Sequence, residues 1–197
     1  MSAGGVTLST PGLDAAPDGQ IGPSVLRYSF RSGDDFLGWL SSFYNVPYLF
    51  GSAGRGARSQ AERYVGADCA DILVAALRRS GLHHLEYSSV GELVDALPQV
   101  AGPSVMNGAP AEPAIAIGGS RGARPGDLIA LDYIGVDELP GAWDHIVALV
   151  EDRGPDGKPD GQLGPDDLVA DSGSSDGLTL APLGDQGEVR LEVLRPQ

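Results

Sequence analysis

The sequence predicts an α+β domain in which N-terminal helices pack on an antiparallel sheet of about five strands. The N-terminal half carries apolar residues at helical spacing, whereas the C-terminal half carries short apolar runs bounded by Gly, Pro and Asp. Helices followed by strands are typical of this fold class. With 197 residues, the chain has the length of one domain with a sizeable core.

Three helices are predicted in the first half of the chain. The first covers residues 32–45 and has a capping-box-like start at Ser32. The clearest covers residues 68–80, with Asp68 as its N-cap and an apolar stripe along one face. A shorter helix covers residues 89–97, begins with a Ser-x-x-Glu capping box and stops before a proline.

The strands follow in the second half. Five are predicted, over residues 127–134, 145–151, 167–172, 178–183 and 188–194. The glycine-rich stretches 51–67 and 99–125 are predicted to be loops. Residues 1–30 are interpreted as a flexible lead-in, and residues 31–197 as a single domain.

Charge and hydropathy narrow the class of partner. The net charge is −14, from 27 acidic and 13 basic residues, so a nucleic-acid partner is disfavoured, because binding phosphates requires many Lys and Arg side chains. No apolar run approaches the roughly 20 residues that span a bilayer. The N-terminus also lacks the pattern of a secretory signal. We expect a cytoplasmic protein, one exported by another route, or a chain that begins after its signal.

The chain contains a single cysteine, Cys69, which excludes an intramolecular disulfide. It falls in the first turn of the predicted helix 68–80. Unpaired amides and the helix dipole favour the thiolate there, and the thiolate is the nucleophilic form. A buried structural cysteine would more naturally lie in mid-helix on the apolar face. Cys69 is therefore a candidate nucleophile, and an inert buried thiol is the alternative.

A thiolate nucleophile needs a base that takes its proton and later protonates the leaving group. Of the three histidines, His83 and His84 follow the Cys69 helix, a helix length away from the thiol. His145 begins an apolar strand, whose end can approach the start of a helix packed against the sheet. His145 is the predicted base, and a partly buried structural histidine is the alternative if Cys69 is inert.

The base in turn needs a group that orients its other nitrogen. The strand that His145 begins and the next strand are joined by a turn-rich linker and are predicted to pair antiparallel. This pairing places His145 beside Asp171, within one residue of register. Asp144 is the rival, although an immediate strand neighbour should point to the other face. Ser172 would replace Asp171 if the register slipped.

The linker between these two strands resembles a calcium-binding loop. Counted from Asp156, the first, fifth and twelfth positions are the acids Asp156, Asp160 and Asp167, with glycine at the sixth. Lys158 occupies the third position, where an acid is expected, and no predicted helix pair flanks the loop. The favoured interpretation is therefore a solvated acidic turn, and calcium as a cofactor is the alternative.

Four stretches match a known pattern, in order and at similar spacing. They are PYLFGSAG (47–54), GADCADILVAALRRSG (66–81), RPGDLIALDY (124–133) and DHIVALVED (144–152). Together they resemble the NlpC family of papain-like cell-wall cysteine peptidases, whose members show PY-x-x-GG, DCSG at the head of a helix, PGDL on a strand and H-x-G-I-Y on the next strand. The resemblance covers about residues 34–183.

This resemblance implies a papain-like fold and hydrolysis of an amide bond in a bacterial cell-wall stem peptide, in the cell envelope or outside the cell, with no required cofactor. It implies Cys69 as the nucleophile, with its backbone N–H as an oxyanion donor, and His145 as the base. Asp68 would hold the amine of the substrate peptide. Tyr48 would line the site and polarise the attacked carbonyl. Here Asp171 takes the third position, after a longer linker than in the family.

Two alternatives stay open. One is a different amidase or acyltransferase reaction on the same scaffold, since a fold does not determine a substrate. The other is a catalytically silent, acidic binding module, with or without calcium, in which Cys69 is merely buried.

Overall fold

The computed structural model describes residues 30–51, 59–135, 142–173 and 177–197, and the backbone of residues 2–3 and 6–7. The chain divides into two units, Met1–Phe30 and Arg31–Gln197. In the first unit, β1 (Ser2–Ala3) and β2 (Val6–Thr7) pair antiparallel. Apart from Phe30, the rest of the predicted lead-in lies outside the described residues, as do residues 52–58 of the predicted loop 51–67.

The helices of the second unit are α1 (Phe36–Leu40), α2 (Cys69–Arg79) and α3 (Val90–Ala96). The capping box predicted for α3 is present, with Ser89 as the N-cap. Among the described residues, none of the helices has the length and hydropathy to cross a bilayer.

Helix α1 is shorter than the predicted helix 32–45. Asp35, rather than Ser32, is its N-cap and accepts a hydrogen bond from the Gly38 N–H at 2.7 Å. The chain then continues as a 3-10 turn over Ser41–Phe43. The Ser41 and Ser42 hydroxyls donate to carbonyls three residues earlier, both at 2.7 Å. Such side-chain bonds compete with the backbone ladder of an α-helix, which accounts for the early end.

Helix α2 is the central helix of the domain. Every residue from Cys69 to Leu77 is buried, and the helix packs against both α1 and the sheet. Arg78 and Arg79 in its last turn both pair with Glu62, at 3.2 Å each. The buried stripe holds the helix against the sheet, so the position of Cys69 at its first residue follows from packing.

One six-stranded antiparallel sheet forms the rest of the domain. Its strands are β3 (Gln99–Met106), β4 (Leu128–Tyr133), β5 (His145–Glu151), β6 (Leu168–Gly173), β7 (Gly177–Pro182) and β8 (Val189–Leu194). Their spatial order is β3-β8-β4-β5-β6-β7. The β5 strand that carries His145 therefore lies between β4 and β6.

The predicted count of about five strands is wrong, because β3 lies in the stretch predicted to be a loop. Gly102 and Pro103 interrupt its pattern, and its pairing with β8 shifts register on both sides of Ala101. Gly102 has φ 94°, and a Cβ there would lie 2.7 Å from the Leu191 carbonyl oxygen. Glycine and proline mid-strand are tolerated at a bulged edge strand, which is the place of β3.

Both faces of the sheet are buried. In β4, Leu128 and Ala130 face the helices, whereas Ile129 and Leu131 belong to a second cluster on the other face. That cluster is closed by side chains from β3 and from the loops after it and after β5, namely Met106, Ala111, Ile115, Ala123 and Leu163. Burial on both faces explains why β4 is a nearly continuous apolar run rather than an alternating one.

Candidate active site

Cys69 is the first residue of α2 and is 7% exposed. Asp68 before it has the extended backbone of an N-cap, and its Oδ1 accepts the Asp71 N–H at 2.9 Å. The N–H groups in the first turn of a helix have no intrahelical partner, so this end of α2 presents positive partial charge to the thiol. The predicted location of the cysteine at a helix start is confirmed.

Asp68 also ties down the preceding segment. Its Oδ2 accepts the Gly51 N–H at 3.0 Å, so each carboxylate oxygen accepts a backbone amide. Both contacts stabilise the local backbone around the thiol. The role implied for Asp68 in holding a substrate amine stays a prediction.

Tyr48 lies on a segment held beside the start of α2. It forms a β-bridge with Ala67, framed by hydrogen bonds from Leu49 N–H to the Ala67 carbonyl and from Ala67 N–H to the Pro47 carbonyl, both 3.1 Å. Burial raises the pKa of Tyr48, and the negative charges of Cys69, Asp68 and Asp171 raise it further. Tyr48 thus lies within electrostatic reach of the thiol. Its roles in lining the site and in polarising a carbonyl stay predictions.

Gly177 brings the segment that carries Tyr48 against the β6–β7 hairpin. It pairs with Gly173 across the hairpin and has φ 70°. A Cβ at this position would lie 2.5 Å from the Val46 carbonyl oxygen, so only glycine allows the two backbones to approach so closely. This contact brings the segment carrying Tyr48 toward the strand that carries Asp171.

His145 and Asp171 are in direct contact. The distance between His145 Nε2 and Asp171 Oδ1 is 2.6 Å, and the two side chains are 12% and 17% exposed. Cys69 also raises the pKa of His145, so the thiol lies within electrostatic reach of the imidazole. Because Nε2 faces the carboxylate, Nδ1 is the ring nitrogen left for the sulfur. Side chains from α2, β5 and β6 therefore meet in the order sulfur, imidazole, carboxylate.

The charges of this group favour a protonated imidazole. Burial lowers the pKa of His145, but the hydrogen bonds and negative charges of Asp171 and Cys69 outweigh burial and raise that pKa to about 9. Burial raises the pKa of Asp171, but its bonds to His145 and Gln186 outweigh burial, and the net shift is downward. At neutral pH the pair is therefore an imidazolium beside a carboxylate.

The register differs from the prediction although the predicted contact is present. Ala148 pairs with Ala170, so the ladder extended by one residue sets Asp171 opposite Val147, two positions from His145. Residues two apart share a face, and diagonal neighbours remain within reach of long side chains. The contact is therefore diagonal rather than directly across.

The rival orienting groups point elsewhere. The Asp144 Oδ2 accepts the Tyr133 N–H at 2.8 Å, so its carboxylate faces the β4 backbone. Ser172 pairs with Leu178 on the other face of the hairpin, and within the described part of the chain its buried hydroxyl has no hydrogen-bond partner. His83 and His84 lie beyond the far end of α2, about 16 Å along the helix from Cys69 at 1.5 Å per residue.

Two residues of the site were not found by sequence reasoning. Gln186 donates from Nε2 to Asp171 Oδ2 at 2.9 Å, and it accepts from the Tyr133 hydroxyl at 2.7 Å. The Tyr133 ring stacks on the His145 ring, with centroids 6.3 Å apart. Tyr133 ends a stretch of the family pattern, but Gln186 lies in a short turn and has no sequence signal of its own.

The carboxylates of the acidic loop between β5 and β6 accept hydrogen bonds from nearby backbone N–H groups. Asp156 accepts from the Lys158 N–H at 3.0 Å, and Asp160 from the Gln162 N–H at 2.9 Å. Asp167 is buried and accepts from the Arg153 and Gly164 N–H groups at 2.8 and 2.7 Å. Among the residues that the structure describes, no three His, Cys, Asp or Glu side chains group to hold a metal ion. Calcium binding stays the alternative to a solvated acidic turn.

Two cavities lie away from the thiol. One of about 330 Å³ is at the C-terminal end of α2, and one of about 180 Å³ is between α1 and the β6–β7 hairpin. Neither is lined by Cys69, His145 or Asp171. The candidate active site is therefore defined by its side chains rather than by either of these cavities.

Comparisons with protein-family models, curated proteins and solved structures found no match for this chain. Its function is therefore inferred from the geometry of its own residues.

Proposed function

We propose that this chain is a cysteine hydrolase of papain-like type that cleaves an amide bond. Cys69 is the nucleophile, His145 is the acid and base, and Asp171 orients His145. The observation that carries the proposal is the 2.6 Å contact between His145 Nε2 and Asp171 Oδ1, on strands packed against the helix that Cys69 begins. A nucleophile, a base within hydrogen-bond reach and a third group that orients the base form the constellation used for covalent catalysis.

The surroundings suit each role. Cys69 lies at the N-terminus of an α-helix of 11 residues, where unpaired N–H groups and the helix dipole stabilise negative charge. His145 stays protonated at neutral pH because its pKa is raised to about 9. A thiolate beside an imidazolium can attack without a separate deprotonation step, and the imidazolium can protonate a leaving amine.

The reaction proceeds in two halves. The Cys69 sulfur attacks the carbonyl carbon and forms a C–S bond, the developing oxyanion accepts the Cys69 backbone N–H, and His145 gives its proton to the amine as the C–N bond breaks. The product of this half is a thioester and a free amine. Water then attacks the thioester while neutral His145 takes its proton, and the returning thiolate leaves a carboxylic acid.

The proposed substrate is a peptide, and we favour a bacterial cell-wall stem peptide. The support is the resemblance of four ordered stretches to the NlpC family, two of which contain Cys69 and His145. The α+β fold, with a helix carrying the cysteine packed on an antiparallel sheet, is compatible with that family's papain-like fold. Another amidase, or an acyltransferase in which an amine replaces water, would use the same first half-reaction.

The decisive experiment incubates the purified protein with soluble cell-wall peptides and measures new amino groups and product masses. We expect cleavage by the wild type and by His84→Ala, an exposed histidine outside the site. Cys69→Ala and His145→Ala should lose at least 10³-fold in rate, since removing a nucleophile or its base costs that much or more. Cleavage that survives Cys69→Ala would refute the assignment.

Thiol alkylation separates an enzyme from a silent binding module without any substrate. Cys69 is 7% exposed. A thiol this buried that does not react with an alkylating reagent would be the structural cysteine of the binding module. We expect iodoacetamide to react with the native protein at pH 6 faster than with a free thiol, and His145→Ala to remove that advantage. A thiol that reacts only after denaturation, together with no cleavage of peptides, would favour the binding module.

A further inference from the structure

A closed set of contacts surrounds the Asp171 carboxylate. One oxygen contacts the His145 imidazole at 2.6 Å, and the other accepts from Gln186 Nε2 at 2.9 Å. The Gln186 Oε1 accepts from the Tyr133 hydroxyl at 2.7 Å, and the Tyr133 ring stacks on the imidazole at an interplanar angle of 21°. The four side chains come from β4, β5, β6 and the turn after β7.

The orientation of the Gln186 amide follows from its partners. An ionised carboxylate can only accept, so the NH₂ group must face Asp171. The carbonyl oxygen then faces Tyr133, whose hydroxyl donates to it. Burial and the negative charges of Asp171, Cys69 and Asp144 raise the pKa of Tyr133, so it keeps the proton that it donates. A flipped amide would lose both bonds.

The turn that carries Gln186 is anchored. It is a 3-10 turn over Leu183–Gln186, and Leu183 is fully buried. The Leu183 N–H donates to the Asp167 carbonyl and the Gly184 N–H to the Pro165 carbonyl, both at 2.8 Å. A Cβ on Gly184 would lie 2.8 Å from Pro165, so the turn packs tightly on the segment before β6. The Gln186 amide is therefore presented from a fixed backbone.

We infer that Gln186 is a positioning residue for the proposed hydrolase: its amide prevents rotation of the Asp171 carboxylate, so that Oδ1 stays on His145, and Tyr133 holds that amide. The inference rests on the proposed function for its consequence in catalysis. A free carboxylate can turn about its last bond and exchange its contact for water. With its second oxygen bonded to Gln186, it cannot turn without breaking a bond to a charged group, which is among the stronger hydrogen bonds in proteins.

The test measures the titration of the His145 imidazole itself. The charged and titratable groups within reach of this imidazole are Cys69 on α2, Asp171 on β6, Tyr133 on β4 and Asp144 beside it. In a Cys69→Ala background the thiol no longer contributes to the pKa of His145. The imidazole titration is then followed by NMR, with the His145 signals assigned by His145→Ala.

Gln186→Met keeps the length of the side chain and removes both hydrogen bonds. We expect it to lower the midpoint of the His145 titration by about 0.5 in pH, a fraction of what a charged neighbour contributes. Tyr133→Phe, which keeps the ring, should shift it in the same direction by less. The matched control is Asp185→Asn, an exposed neighbour in the same turn, which should shift nothing.

A double substitution distinguishes positioning from simple packing. If Gln186 acts only through the carboxylate, Gln186→Met should have no effect on the His145 midpoint once Asp171→Ala is present. A midpoint that Gln186→Met leaves at the parent value, or a shift that persists with Asp171→Ala, would overturn the inference.

Turnover gives the second readout. On a cleaved peptide, Gln186→Met should lower kcat about tenfold at unchanged KM, because one charged hydrogen bond is lost and substrate contacts are kept. The NMR titration needs no substrate, so a wild type without hydrolase activity would defeat the proposed function and leave the titration to decide the positioning of His145.

Discussion

The contact between His145 and Asp171 predicts how the pH profile changes when Asp171 becomes Asn. At 2.6 Å, two unit charges attract by about 1.6 kcal/mol at the dielectric constant of water and about 6 kcal/mol at an effective value of 20. The pKa of His145 is raised from 6.5 to about 9, which is a net effect of roughly 3 kcal/mol. This net effect lies between the two Coulomb energies, because burial of His145 opposes part of the attraction.

Asp171→Asn removes the charged hydrogen bond that raises the pKa of His145 most and keeps the shape of the side chain. Without the carboxylate, the imidazolium should lose its proton about 2 pH units lower, within the range that one close opposite charge produces. Because the proposed mechanism needs a protonated His145 to release the amine, the alkaline limb of kcat/KM should move from near pH 9 to near pH 7. The profile is measured with a peptide substrate of the proposed hydrolase, and the titration of the imidazole is measured by NMR.

The proton that His145 binds also contributes to the free energy of unfolding. The folded chain binds it more tightly than the unfolded chain, so the stabilisation is complete below about pH 6.5 and is lost as the pH rises through about 9. Urea unfolding of the wild type and Asp171→Asn should therefore differ most near pH 6 and converge above pH 9. The matched control is Asp144→Asn, which alters a carboxylate that bonds the β4 backbone. An alkaline limb and an NMR midpoint that Asp171→Asn does not move would refute this account.

Three further predictions concern the N-cap of α2, a buried ion pair and the acidic loop. Asp68→Ala removes the N-cap of α2 and the bond to the Gly51 N–H. It should lower the free energy of unfolding in urea by about 1–2 kcal/mol. Asp68→Asn should lose about half as much, and equal losses for both variants would contradict the capping role. Arg195→Met removes the two-point partner of the buried Asp127, whose bonds measure 2.9 and 2.7 Å, and leaves it the more distant Arg124 side chain at 3.9 Å. The change should cost about 3 kcal/mol of stability. Adding Asp127→Asn should restore part of that stability, and a double variant no more stable than Arg195→Met would contradict this electrostatic cost. Millimolar calcium should leave Tm unchanged, because the carboxylates of the loop around Asp160 bond to nearby N–H groups; a rise of several degrees, absent in Asp160→Asn, would establish a calcium site.

Local patterns were sufficient to predict much of the fold. The helix that begins after Asp68 and the capping box at Ser89 are present, because both depend on hydrogen bonds between residues three apart. Strand β5 has the predicted bounds, His145–Glu151, because its long apolar run is buried on both faces. The edge strand β3 was missed, since its pairing with β8 compensates for Gly102 and Pro103, and no local pattern reports such pairing.

The sequence by itself determined the chemical types at the site and their places on elements: a thiol at a helix start, an imidazole at a strand start and a carboxylate near the end of the next strand. These follow from periodicity and turn chemistry, which act over a few residues. Only the tertiary structure decided the diagonal register of Asp171, the proximity of Cys69 to His145 and the placement of Gln186. Those depend on how distant elements pack, and a shift of one or two residues in pairing costs little locally while it changes which side chains meet.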